Sequence, residues 1–140
     1  MADPIPAGGT SGPAAPQPSL ISYTHWMYAL HAASALMGVL TGATVIGQFV
    51  FGIPSIIAVV MNYVKRDEAR GTWLESHFRW QIRTFWFGLL WVLLCVAFVI
   101  VTFGTGLLVV WIPLVGVTGW FIYRVARGWM ALSARRQMYA

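Results

Sequence analysis

Long apolar runs alternate along the chain with short polar interruptions, and the run lengths match those of helices that cross a membrane. Residues 26–64 are almost wholly apolar, a stretch nearly twice the ~20 residues that span a bilayer as helix. One straight helix of that length would overshoot the hydrocarbon by roughly tens of ångströms at 1.5 Å per residue, so the stretch must be broken. Two break points offer themselves, Thr41-Gly42-Ala43-Thr44 and Gly52-Ile53-Pro54. A turn at Gly42 gives two short spans, residues 23–40 and 44–64, and is preferred over a single interrupted span. Pro54 then falls inside the second helix and is expected to kink it, because it lacks a backbone donor and its ring crowds the preceding turn. The carbonyl so freed needs a partner, which Ser55, Gln48 or a neighbouring helix can supply.

A third span starts before its apolar core. Thr72-Trp73-Leu74-Glu75 fits a capping box just after Gly71, and the helix is expected to run from Trp73 through Glu75, Arg79 and Arg83 at four-residue spacing. It enters lipid near Phe85 and continues to about Val101. On this lead-in Leu74, Phe78, Ile82 and Phe85 share one face and the charges another, which suits an interface with Trp73, Trp80 and Trp86 at headgroup level. Gly104-Thr105-Gly106 reads as a compact turn and therefore an antiparallel hairpin. The fourth span covers residues 107–123, with Pro113 as a second expected kink and Arg124 and Arg127 at its exit.

The pattern thus predicts an all-α fold, a polytopic transmembrane helix bundle of four spans, two short and kinked and then a long antiparallel hairpin. Residues 1–21 form a Pro/Gly/Ala-rich tail with too little apolar surface to offset its ordering entropy, and are expected to be disordered. Residues 22–129 form the transmembrane domain and residues 130–140 a short basic C-terminal tail. The N-terminal segment lacks the basic region and adjoining apolar core of a signal peptide, so the first apolar span is expected to persist in the mature protein.

Composition sharpens this picture. Hydrophobic residue types make up 59% of the 140 residues and charged types 9%, against roughly 25% charged in soluble domains, too few to build a water-facing surface. The 9 basic residues all lie in two places, Lys65 to Arg83 and Arg124 to Arg136. No Asp, Glu, Lys or Arg occurs in residues 84–123; one Arg at mid-bilayer costs about 2.5–3.5 kcal/mol on insertion scales. The net charge of +5 could suggest nucleic acid, but these basic residues flank apolar spans and form no groove, so no nucleic-acid partner is expected. Cys95, the single cysteine, sits among apolar neighbours and is expected to be an inert buried thiol.

Orientation follows from Lys and Arg beside short loops. Lys65, Arg66, Arg70, Arg79 and Arg83 flank the central loop and Arg124, Arg127, Arg135 and Arg136 the C-terminus, while the turns at Gly42 and Gly104 carry none. The central loop and C-terminus should both be cytoplasmic, in a multi-pass protein of the inner membrane. With four spans the N-terminus is cytoplasmic as well; with three it is outside.

Polar chemistry concentrates in the central segment, at Lys65, Arg66, Glu68, Arg70, Glu75, His77, Arg79, Gln81 and Arg83, which we take as the candidate interaction site. Such residues can anchor two helices and attract anionic lipid headgroups at up to about 1 kcal/mol per basic residue. They can equally dock a membrane-protein partner or a second copy. His77 beside Glu75 falls short of the three or four convergent ligands of a metal site. His25 and His31, six residues apart on one helix, point in different directions and cannot sandwich one haem. His31 is expected to bond a hydroxyl or carbonyl of a neighbouring helix. Ser34, Gly38 and Gly42 make a small-residue stripe suited to close helix packing. No nucleophile elbow, phosphate-cradling loop, paired-carboxylate site or zinc motif is present. No cofactor, metal or catalytic residue is expected, and the chain is read as a non-enzyme.

The order of these features resembles a known group. Asn62-Tyr63-Val64-Lys65-Arg66-Asp67-Glu68, then Glu75-Ser76-His77 and Gln81 leading into two further spans, is similar to small bacterial membrane proteins of unknown function related to the chloroplast inner-envelope Tic-type translocon component. The similarity covers roughly residues 28–129. It makes Lys65, Glu68, His77 and Gln81 the counterparts of that group's loop lysine, acid, histidine and glutamine, and implies a helical inner-membrane protein. By analogy it implies a part in translocation, although fold kinship does not carry function. The expected function is non-enzymatic interaction with protein or lipid at the charged cytoplasmic loop. A small transporter or translocation subunit, working as an oligomer or with partners, is the alternative.

Overall fold

The structure, a computed structural model, describes residues 12–40 and 52–138. Its elements are α1 (Pro18–Leu40), α2 (Ile53–Val64), the single-turn α3 (Arg66–Ala69), α4 (Leu74–Val101), a 3₁₀ turn (Thr105–Leu108) and α5 (Trp111–Ser133). The described part is therefore all-helical, with one isolated β-bridge between Ala14 and Thr72. The break expected near Gly42 lies outside the described residues.

α1 packs on α2 and α5, and α4 packs on α5 and α2, so the four long helices close a ring. The chain runs alternately up and down it. The start of α1, the end of α2, the start of α4 and the end of α5 gather at one end, hereafter the loop end. Three hydrogen bonds fix that arrangement: Ala14 N–H to the Gly71 carbonyl (3.0 Å), Tyr23 Oη to the Met61 carbonyl (3.1 Å) and Met138 N–H to Ser76 Oγ (2.9 Å).

Helix boundaries depart from the expectation in an instructive way. α1 begins at Pro18, inside the segment expected to be a tail, because proline at a first helical position is pre-shaped for the helix and loses no hydrogen bond. Leu20 is thereby carried into the core. Pro54 lies at the start of α2 and Pro113 in the first turn of α5, so each begins a helix where a mid-helix kink was predicted. An N–H in a first turn has no intrahelical acceptor to lose. The predicted hairpin after α4 is present. Its turn uses left-handed backbone at Phe103 (φ 52°) and Gly104 (φ 86°), then one 3₁₀ turn, so α5 starts at Trp111, later than expected.

The main core lies toward the loop end, where Met27, Tyr28, Ala58, Leu74, Phe78 and Val125 pack together. A second, smaller cluster of Cys95, Val110 and Leu114 lies toward the turn end. Elsewhere the bundle wall is apolar and uncovered: Leu40, Ile56, Val60, Trp91, Ile100 and Ile112 are all exposed. Among the described residues α4 is the helix long and apolar enough to cross a membrane, with mean hydropathy 2.6 over a stretch only 17% buried. α2 is apolar but shorter, and α1 and α5 have the length without meeting the same standard of hydropathy and charge.

Candidate functional site

The central loop is ordered by its own charges. Lys65 Nζ donates to both carboxylate oxygens of Glu68 at 3.1 Å and stands 5.3 Å from the centre of the Tyr23 ring. Arg70 pairs with Asp67 at 3.1 Å and Arg79 with Glu75 at 3.6 Å. These pairs are three or four residues apart on exposed helical turns, where each contributes about 0.2–1 kcal/mol. The predicted capping box does not form: the helix starts after Trp73 with no side-chain cap. Glu75 accepts the N–H of Gly71 (3.0 Å), which has φ +74°, while the Thr72 hydroxyl turns back to the Ala69 carbonyl (2.7 Å).

The candidate interaction residues separate into two groups. Arg66, Glu68, Arg70 and Arg79 are exposed, and Lys65 and Glu75 half-buried, around the rim of the loop end, while Arg83 is exposed further along α4. His77 (0% exposed) and Gln81 (1%) point into the bundle and so cannot share a docking face with them. Leu74, His77, Phe78, Gln81, Thr84 and Gly88, all buried, follow the three- and four-residue spacing of a single helix face. That stripe was the available signal. The polarity of His77 and Gln81 runs against that register.

Inside, His77 ties three elements together. Its Nε2 lies 2.6 Å from the Arg136 carbonyl and its Nδ1 3.0 Å from Tyr28 Oη. A carbonyl can only accept, so Nε2 carries the proton and Nδ1 accepts the Tyr28 O–H. The C-terminal segment, turned back at Arg135 (φ 51°), is latched onto α4 by this bond and by Met138 N–H to Ser76. One layer deeper, Asn62 Nδ2 donates to Gln81 Oε1 and to the Ala58 carbonyl, both at 3.1 Å. His31 Nδ1 lies 3.0 Å from Ser55 Oγ on α2, the hydroxyl partner expected for it. His25 Nδ1 accepts from Trp129 Nε1 at 3.0 Å. His31 Nε2, Asn62 Oδ1 and Gln81 Nε2 are buried without a hydrogen-bond partner.

On the outer side of the α4–α5 pair, Arg124 is clamped on three sides. Its guanidinium lies over the Trp80 ring, 3.6 Å from the centre, and its Nε donates to Thr84 Oγ1 at 2.7 Å. Trp80 Nε1 in turn donates to the Arg124 carbonyl at 3.1 Å. Trp80 is thus a buried platform, not the headgroup anchor predicted, whereas Trp86 is exposed and donates to Tyr63 Oη at 3.0 Å.

A cavity of about 220 Å³ opens between α1, α2, α4 and α5, lined by Ser34, Ser55, Thr118 and mostly apolar residues such as Phe85, Leu89 and Phe121. Among the described residues no three His, Cys, Asp or Glu side chains converge as metal ligands. What fold and site define is a small helical bundle with a charged rim at one end, a hydrogen-bonded interior beneath that rim, and apolar walls. No protein-family model, curated protein or solved structure matches this chain.

Proposed function

We propose that the chain is a four-span, non-enzymatic protein of the inner membrane that works by interaction at its loop end, which faces the cytoplasm. The observation that supports this reading is the meeting of the central loop with the N- and C-terminal segments at one charged end of a bundle whose walls are apolar and exposed. Exposed Leu, Ile, Val and Trp over several helix faces need apolar surroundings, and a rim carrying Arg66, Arg70 and Arg79, with Arg83 further along α4, suits anionic headgroups or an acidic partner surface. The even number of passages puts the N-terminal segment on the same side as the loop. Kinship with the Tic-type group belongs to this proposal too.

The test is mild-detergent extraction of the full chain, comparing wild type with a variant in which Arg66, Arg70 and Arg79 are all changed to Gln. Loss of a co-purifying protein or of anionic lipid supports the reading, and an unchanged set of both sinks it. A reporter fused at Ala2 should report the cytoplasmic side. One observation favours the transport alternative: polar atoms of His31, Asn62 and Gln81 are buried without partners, and Ser55, the His31 partner, lines the cavity. Solute or ion flux from the reconstituted pure protein would establish that reading instead.

A further inference from the structure

Among the described residues every carboxylate is already matched: Glu68 by Lys65, Asp67 by Arg70 and Glu75 by Arg79. Asp3 and the carboxylate of Ala140 lie outside them. Among the described residues Arg83, Arg124 and Arg127 therefore have no carboxylate within ion-pair distance, yet Arg83 adjoins Thr84, the partner of Arg124, and stands one helical turn from Trp80 on α4. The guanidinium carbons of Arg124 and Arg127 lie 3.6 and 5.9 Å from the centre of the same Trp80 ring. Three like charges held together without a counter-charge repel one another unless an anion sits among them.

The donors are also pre-positioned. Arg124 spends Nε on Thr84 and rests on Trp80, with Trp120 5.2 Å away, which leaves both terminal nitrogens of a fixed planar fork to bind. Arg127 gives one N–H to Tyr123 Oη at 3.0 Å and keeps the others. Forked guanidinium donors match the paired oxygens of a phosphate or a carboxylate, and a lipid phosphate brings acyl chains with it. Four residues from Arg83 toward the turn end is Phe87, and four further Trp91, both exposed. Beside a cationic cluster these supply an apolar surface that an acyl chain can cover and a free anion cannot use.

We propose that Arg83, Arg124 and Arg127, on the Trp80 platform, form a binding site for the phosphate of an anionic phospholipid whose acyl chains lie along the exposed α4 face. The proposal rests on the membrane reading above, and it moves lipid recognition from the acid-paired loop to the outer side of the α4–α5 hairpin.

Native mass spectrometry of the full chain in lipid-free detergent tests it, with phosphatidylglycerol, phosphatidylcholine and inorganic phosphate as probes. Wild type should hold phosphatidylglycerol at least about tenfold more tightly than phosphatidylcholine. The R83Q/R127Q variant, which leaves the Arg124 clamp in place, should weaken phosphatidylglycerol by roughly tenfold or more. Arg124→Gln should do the same if it folds, as judged by its thermal melt. R70Q/R79Q should bind as wild type does. Equal retention by wild type and R83Q/R127Q overturns the site. Loss in R70Q/R79Q alone also overturns it, while leaving the loop-end interaction reading intact. Displacement of the lipid by millimolar inorganic phosphate would make this a free-anion site and overturn the lipid assignment.

Discussion

At the loop end of the bundle Tyr28, Asn62, His77 and Gln81 meet inside a shell of Met27, Leu74 and Phe78. At the turn end the buried cluster among the described residues is Cys95, Val110 and Leu114, while Phe103, Leu107 and Leu108 face outward. The first region is held by directional bonds that a slipped register would break, and each buried polar atom left alone costs about 1–3 kcal/mol, so one arrangement of four helix ends is singled out. Among the described residues, the second has a small buried cluster and hydrogen bonds confined to its own turn, such as Gly106 N–H to Thr102 Oγ1 at 2.9 Å. There α4 is far more hydropathic than it is buried, with mean hydropathy 2.6 over a stretch only 17% buried. Specificity of fold therefore sits at the charged end, and on the membrane reading proposed above the apolar walls are completed by lipid.

The largest expected effect is at the centre of the loop end. His77→Ala removes two hydrogen bonds, strands the Tyr28 hydroxyl and the Arg136 carbonyl, and leaves a void, for a loss of about 3 kcal/mol in detergent unfolding. It should also free the C-terminal segment, so trypsin should cut after Arg135 and Arg136 sooner than in wild type. A normal melt with normal proteolysis would mean that the interior bonds do not set the fold. Gly128→Ala comes next. A methyl group there would stand 2.5 Å from Tyr28 Oη and 2.6 Å from its Cε1, and displacing a fully buried tyrosine from its bond to His77 should cost about 2 kcal/mol.

At the turn end the same kind of truncation should matter less. Cys95→Ala removes a buried atom from a cluster of three residues and should cost about 1 kcal/mol or less, because lipid and detergent can fill the space. If it proved as damaging as His77→Ala, the contrast between the two ends would fail.

Much of this contrast could be read from the sequence, and the rest could not for physical reasons. The apolar runs, the hairpin at Gly104 and the segregation of Lys and Arg are properties of single segments, and single segments carry their own hydropathy. The inward turn of His77 and Gln81 depends on which face of α4 meets α1 and α2. Leu74 and Phe78 mark that face in the sequence, but the polarity of His77 and Gln81 puts them among the candidate interaction residues instead of the core. The effect of Pro54 and Pro113 depends on where a helix starts, and an unbroken apolar run does not mark its own first turn. The Arg124 clamp needs Trp80 and Thr84 from the antiparallel helix, a pairing 40 residues or more away in the chain.

The smallest expected effect is the one that separates structure from function. Arg79→Gln breaks a 3.6 Å ion pair between side chains that are 57% and 44% exposed, and such a pair is worth at most about 0.5 kcal/mol on a helix surface. The melt should therefore shift by no more than a degree or two, and the shift should vanish at high salt, where exposed charges are screened. The charged rim would then be dispensable for folding while the polar interior directly beneath it is not. A residue that costs the fold nothing is free to serve a partner, so a silent melt with altered co-purification in the Arg66, Arg70 and Arg79 triple variant would tie the rim to interaction. A destabilisation comparable to that of Gly128→Ala would instead make the rim part of the scaffold and return the search for function to the Arg124 cluster and the cavity.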